Sequence, residues 1–183
     1  MNELQVRSAT AADALGVATV HVDSWRDAYS GLIADDVLDS LSVKQRAEGW
    51  SRWIQASFSG ARTDTGTDTP HRLLVAEIGD RIVGWASFGA GRDSEASHLG
   101  ELAGLYVHPE FWSKMIGHAL MTHVDQELIA EGWDEAYLWV LHGNDRAIRF
   151  YEQHGWYADG IEKVDAAGGA SNLRELRFRR VLC

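Results

Sequence analysis

The stretch Glu135–Leu141, with the sequence EAYLWVL, constrains this chain more than any other segment. It is almost continuously apolar, as a strand covered on both faces must be, and such strands sit at the centre of a sheet. The neighbouring segments supply what would cover it. Met115–Glu131 places Ile116, Ala119, Leu120, Val124 and Leu128 on one helical face, with Gly132 positioned to end the helix. Asn144–His154 is a short amphipathic helix stopped by Gly155.

Upstream, Leu4–Arg7 is a strand. Thr10 with Asp13 then forms a capping-box pattern before a helix whose inner stripe is Ala11, Leu15, Ala18, Val22, Trp25 and Tyr29. A short helix is expected near Asp35–Leu41. A longer one follows Ser42 and Gln45, with Val43, Ala47, Trp50, Trp53 and Ile54 facing inward. Residues 57–71 are rich in Thr, Asp, Gly and Ser without apolar period, which predicts a surface loop. Leu73–Ile78 and Arg81–Phe88 make a hairpin about Gly79-Asp80, and Leu99–Val107 is the next strand. Strands near Trp156–Ile161 and Leu173–Arg180 flank a turn at Ala166–Ala170. This order predicts one α/β domain over residues 1–183, a mixed sheet with a parallel crossover at its centre.

Composition narrows the partners. A formal net charge of −10 speaks against nucleic acid, which needs a concentrated basic face, and suits a cationic or amine substrate or simple solubility. The one cysteine, Cys183, allows no internal disulfide and fits a reducing compartment. No segment approaches a membrane span and the first residues lack a signal-type apolar core, so the expectation is a cytoplasmic protein with no membrane partner. No histidine spacing matches a metal motif, so no metal is expected. A homodimer stays open, because none of the eight tryptophans is singled out as part of an interface.

Two segments carry the chemistry. Val107-His108-Pro109 leads from a strand through Trp112, Ser113, Lys114 and Met115 into Ile116, Gly117 and His118. A strand, a loop and a helix start present unpaired N–H groups at the positive end of a helix dipole, a setting that suits pyrophosphate. Taken alone, that segment is better read as an ordinary strand–helix connection. In Asn144–Trp156 (NDRAIRFYEQHGW), Asn144 is a good N-cap and Ala147, Ile148 and Tyr151 share a face.

Together the two segments resemble the GNAT-type N-acetyltransferase family. Its donor motif runs approximately V-x-P-x-x-(Q/R)-G-x-G-(I/V/L)-G-x-A-L, and this chain has V-H-P-E-F-W-S-K-M-I-G-H-A-L. Its later motif, approximately N-x-x-A-(I/R)-x-(F/L)-Y-x-x-x-G-(F/W), is matched at Asn144, Ala147, Ile148, Phe150, Tyr151, Gly155 and Trp156. Trp112 stands where Gln or Arg is commonest, and Ser113 and Met115 replace two glycines of the pyrophosphate loop.

The resemblance implies six to seven strands, mostly antiparallel with a central splayed parallel pair, flanked by about four helices. It implies acetyl-CoA as cosubstrate and a primary amine, on a small molecule or a protein, as acceptor. Leu105, Tyr106 and Val107 would meet the pantetheine and the thioester carbonyl through backbone groups. Trp112, Ser113, Lys114, Met115, Ile116, Gly117 and His118 would hold the pyrophosphate, and Asn144 the pantetheine arm. Tyr151 would be the general acid and Glu101 the general-base candidate. His21, Trp25 and Tyr29 would line the acceptor pocket. The alternative is a binding or regulatory module of the same fold with weakened acetyl-CoA binding. A donor with a second carboxylate would need a cation near Glu101 or Tyr151, which the sequence does not place.

Overall fold

The computed structural model describes residues 3–59 and 71–182. Seven strands form one sheet: β1 (Leu4–Ser8), β2 (Arg72–Ile78), β3 (Arg81–Ala90), β4 (Gly100–Val107), β5 (Glu135–Leu141), β6 (Tyr157–Ala167) and β7 (Ala170–Val181). Five α-helices accompany them: α1 (Ala14–Ala28), α2 (Asp35–Ser40), α3 (Val43–Ser59), α4 (Ile116–Ala130) and α5 (Asp145–Gln153). The strand order is β1-β2-β3-β4-β5-β7-β6. All neighbours are antiparallel except β4 and β5, which are joined by the α4 crossover and run parallel. The expected mixed sheet with a central parallel pair is therefore present, with five helices rather than about four.

Alternation along β2 shows how the sheet is covered. Leu74 and Ala76 face one way, into a core with Ile116, Leu120, Val124 and Leu128 of α4. Leu73 and Val75 face the other way, against Ala14, Val17 and Val20 of α1 and Ile54 of α3. In β5, Ala136, Leu138 and Val140 join the α4 core, while Tyr137 is buried on the opposite face with Ala96 and Leu99. This central strand is covered on both faces, but on one of them by a loop instead of a helix.

Three expectations are corrected. The inner stripe of α1 is wider than one row: Val17 and Val20 are fully buried, whereas Leu15 is 62% exposed and Ala11 is exposed too. The helix is wedged between the sheet and α3, so two of its sides are covered. Helix α3 runs on through Ser59, into the stretch expected to be loop, and residues 60–70 of that stretch lie outside the described residues. Strands β6 and β7 are longer than expected and meet at Gly168 and Gly169, whose φ values of 63° and 95° suit glycine.

At the N-terminus, Asp13 accepts from the Thr10 N–H at 2.7 Å and from Arg7 at 2.8 and 2.9 Å. The Arg7 hydrogen bonds hold its carboxyl down at about 2, against the opposing effect of burial. The expected capping box is thus present, and it opens a single 3₁₀ turn, Ala11–Asp13, before α1.

Candidate active site

The central feature of the site is a break in the sheet. β4 and β5 pair only at Gly100–Ala136 and Glu101–Tyr137, so from Leu102 onward β4 loses β5 as a partner. On its other edge, Leu102 pairs with Phe88 and Gly104 with Ser87, which leaves Ala103 as an extra residue. Such a bulge turns the strand away from its neighbour. The resulting cleft has a volume of about 490 Å³, with Leu102–Val107 on one wall and Trp139–Leu141, Asn144 and Tyr151 on the other. Strand backbone left unpaired in such a cleft needs other hydrogen-bonding partners.

One end of the cleft is closed by the loop from β4 to α4. The Trp112 Nε1–H donates to the Val107 carbonyl at 2.7 Å, which ties the loop to the end of β4. Arg146 of α5 stacks over the Trp112 ring, 3.0 Å from its centroid. Ser113 and Met115 have φ of 61° and 64°. The two residues that replace glycine therefore keep the left-handed backbone that glycine favours, at a conformational penalty of about 1–2 kcal/mol each. The Met115 side chain is 66% exposed and points away from the protein. The Lys114 ammonium lies 4.8 Å from the Phe111 ring, and the His118 and His154 rings meet at 3.0 Å. Ile116 is buried in the core, and the Ala119 N–H closes the first turn onto Met115. The N–H groups of Ile116, Gly117 and His118 precede that first bond. Gly117 also has a packing reason: a Cβ there would lie 3.1 Å from Phe150, so the glycine lets α4 approach α5.

On α5, the Asn144 side chain accepts from the Ala147 N–H at 3.2 Å, the expected N-cap. The helix thereby points Tyr151 into the cleft. Burial, and then the neighbouring Tyr106, push the Tyr151 phenol well above its ordinary pKa, so it stays protonated at neutral pH. Among the described residues its hydroxyl has no hydrogen-bond partner.

Glu101 sits where the two strands part and is almost fully buried. Its oxygens accept from Arg92 Nε at 2.9 Å, Nη2 at 2.6 Å and the Arg92 backbone N–H at 3.0 Å. Burial alone would raise its pKa, but these hydrogen bonds outweigh it and hold the carboxyl below the ordinary range. A carboxylate so held is a weaker proton acceptor than a free one, which weighs against the general-base place expected of Glu101. Tyr137 fixes the same loop by accepting from the N–H groups of Arg92 (3.1 Å) and Asp93 (3.2 Å). Arg92 is a cation that the sequence did not place, and Glu101 neutralises it.

A second cavity of about 670 Å³ opens on the α1 and α3 side of β4. His21, Trp25 and Tyr29, the residues expected at an acceptor pocket, all line it, together with Trp50, Trp53, Trp85 and Tyr106. Tyr106 lines this cavity as well as the cleft. It stacks on His21 at 5.9 Å, and its hydroxyl meets that of Tyr29 at 3.0 Å. His21 Nδ1 accepts from Trp50 Nε1 at 3.3 Å, and burial lowers its pKa to about 3, aided by Arg46. The imidazole is therefore neutral. The two cavities share Tyr29, Arg92, Ala103, Tyr106, Leu141, Ala167 and Glu175, so they join beside the bulge. Sequence reasoning missed Arg92, Arg146 and Glu175, because each lies in a loop, helix or strand position that no motif singles out.

A split sheet with a helix N-terminus at one end of the cleft and a buried tyrosine inside defines a class of α/β domain. Consistent with that architecture, residues 35–156 match the model of the acetyltransferase (GNAT) family, and the chain belongs to that family. It is 31% identical over 164 residues to YuaI of Bacillus subtilis, described as an uncharacterized N-acetyltransferase, covering 89% of this chain and 86% of that one. It is 23% identical to the probable N-acetyltransferase Rv2775 of Mycobacterium tuberculosis, over 87% of this chain and 83% of the relative. Among solved structures, the PaiA N-acetyltransferase of Thermoplasma acidophilum, in complex with coenzyme A, has the same fold (TM-score 0.74, 19% identity, 98% and 99% of the two chains). So does YncA of Salmonella typhimurium, solved with acetyl-CoA (TM-score 0.67, 18% identity, 99% and 95%).

Proposed function

We propose that this chain transfers an acetyl group from acetyl-CoA to a primary amine by direct attack, without an acyl-enzyme. The observation that carries this reading is the cleft itself, with β4 released from β5 along one wall and a protonated Tyr151 that has no hydrogen-bond partner among the described residues. Membership of the family supports it at the level of reaction class. The acceptor, a small molecule or a protein amino group, is the finer part of the proposal.

Bound acetyl-CoA supplies a thioester whose carbonyl carbon accepts the amine. The loop Trp112–His118 and the N-terminus of α4 would hold its pyrophosphate, with Lys114 and the Trp112-stacked Arg146 as cations nearby. Backbone groups of Leu105 and Val107 would pair with the pantetheine amides, and Asn144 would border the same arm. A backbone N–H near Leu105 or Tyr106 would donate to the carbonyl oxygen as it gains charge. Tyr151 would give its proton to the departing thiolate. Glu101 is assigned a positioning role: it holds Arg92 and so shapes the floor where the two cavities meet.

The alternative, a module that no longer binds the donor, drew on the loss of two loop glycines. The left-handed φ values of Ser113 and Met115 and the outward Met115 side chain favour the enzyme instead. The test is release of free thiol from acetyl-CoA with a panel of amines, alongside the melting temperature with and without donor. Turnover that falls severely in Tyr151→Phe is expected. Donor binding with no turnover across a wide amine panel would overturn the catalytic reading.

A further inference from the structure

The cavity on the α1 and α3 side differs in character from the cleft. Its walls are aromatic: Trp85 lies 4.8 Å from Tyr106 and 4.9 Å from Trp50, and His21 packs on all three rings. Flat apolar walls of this kind take up flat apolar bodies and attract cations to their faces. A neutral His21 adds no repulsion, and the net charge of −10 favours approach of a cation. Where this chamber meets the cleft stands the carboxylate of Glu175, whose ion pair is a long one with Lys163. Glu175 lines both cavities, is 22% exposed, and its nearest cation, Lys163 Nζ, is 3.5 Å away. Glu101, the other carboxylate of the junction, is already taken by Arg92.

Resting on the acetyltransferase reading above, we infer that the acceptor is a primary amine carried on an aromatic body. Its ring lies among Trp25, Trp50, Trp85 and His21, and its ammonium is received by Glu175. Glu175 then accepts one proton from the ammonium. The freed lone pair forms the C–N bond as the C–S bond of the thioester breaks, and Tyr151 gives one proton to the sulfur. The second proton of the attacking nitrogen leaves to water as the amide forms, and water returns one to Tyr151. Glu175 is reset by giving its proton to water.

The surroundings of Glu175 suit this work. Burial raises its pKa above the ordinary carboxyl range, which brings a base nearer to neutral pH. Lys163 on β6 opposes that rise, and Asp165 and Asp93 add to it. From the other elements, Tyr29 and Tyr106 face it as neutral phenols, Arg92 is paired with Glu101, and Arg46 of α3 is a cation lining the same chamber, 6.0 Å from the Trp25 ring.

The test uses 2-phenylethylamine as probe and ethanolamine as its polar counterpart, by calorimetric titration of the full chain without donor. The phenyl compound is expected to bind at least tenfold more tightly, and Glu175→Gln and Trp50→Leu are each expected to weaken it at least tenfold. Equal binding of the two amines, no binding of either, or unchanged binding in Glu175→Gln overturns the inference. The acetyl-CoA shift in melting temperature is read separately, so loss of donor binding counts against the acetyltransferase reading alone. With the probe as acceptor, kcat/KM is expected to fall about 100-fold or more in Glu175→Gln. In Lys163→Met the acid limb of the pH profile is expected to move to higher pH, because the cation that holds Glu175 down is gone. An unmoved limb overturns the assignment of Glu175 as base even if the Gln variant fails to fold.

Discussion

Replacing Met115 by glycine tests the description of the donor loop directly. Met115 precedes α4 with φ 64° and ψ 4°, and its side chain is 66% exposed. Holding an L-residue there costs about 1–2 kcal/mol, which glycine would recover. Against that gain stands the greater freedom of glycine in the unfolded chain, about 0.4–1 kcal/mol. A fully buried methionine side chain contributes roughly 1.5–3 kcal/mol, and one as exposed as Met115 supplies only a minor part of that. The net expectation is a stabilisation of about 0.5 kcal/mol, and about 1 kcal/mol when Ser113→Gly is added. For a chain of this size each kcal/mol moves the melting temperature by about 2–4 °C. Thermal and urea unfolding read the effect, with Met115→Ala as control, since alanine keeps the Cβ that makes the conformation costly. A loss of about 1 kcal/mol or more in Met115→Gly would refute the reasoning, for it would mean that the exposed side chain holds the loop together. The same variants should bind acetyl-CoA at least as well as the parent, because the backbone they favour is already present.

Other outcomes follow from the same geometry. Tyr151→Phe should lower kcat by about 10²–10⁴-fold while leaving the acetyl-CoA melting shift intact, which single-turnover kinetics and thermal shift together would establish. His21, neutral when folded with a pKa lowered to about 3, should make stability fall as pH drops below the unfolded value near 6.5. There the unfolded chain gains a proton that the folded one refuses, at up to about 1.4 kcal/mol per pH unit until about pH 3. Urea unfolding across that range should show a shallower fall in His21→Phe. Glu101→Gln should destabilise by about 1–3 kcal/mol by leaving Arg92 without its carboxylate, a value kept modest because the Arg92 side chain is 42% exposed. Gly168→Ala combines a φ of +63° with a Cβ only 2.5 Å from Trp25, and should cost about 2 kcal/mol or more while disturbing the aromatic chamber, which thermal unfolding would read.

Much of this molecule is legible in local pattern. The apolar run of β5, the 3.6-residue period of α4, the Asn144 cap and the Gly79-Asp80 turn are short-range features, and backbone preference and amphipathicity decide them within a dozen residues. The two motifs singled out the loop before α4 and the tyrosine of α5 for the same reason: each motif lies on one continuous segment.

What tertiary structure alone decided concerns groups brought together from distant segments. Whether Glu101 is a base or an ion-pair partner depends on Arg92, nine residues away across a loop, and on burial that no single strand reveals. The double-sided burial of α1 depends on α3 packing against it, so a single stripe of apolar residues underestimates what is covered. That Ser113 and Met115 would keep the backbone of the glycines they replace is a balance between local strain and the packing of Trp112 and Ile116 on either side. The meeting of Glu175, Tyr106 and Tyr29 at the junction of two cavities arises from the bulge at Ala103 and the parting of β4 from β5. Sequence periodicity reports which face of an element is apolar. The distances between charges on different elements are set only when the sheet closes around them.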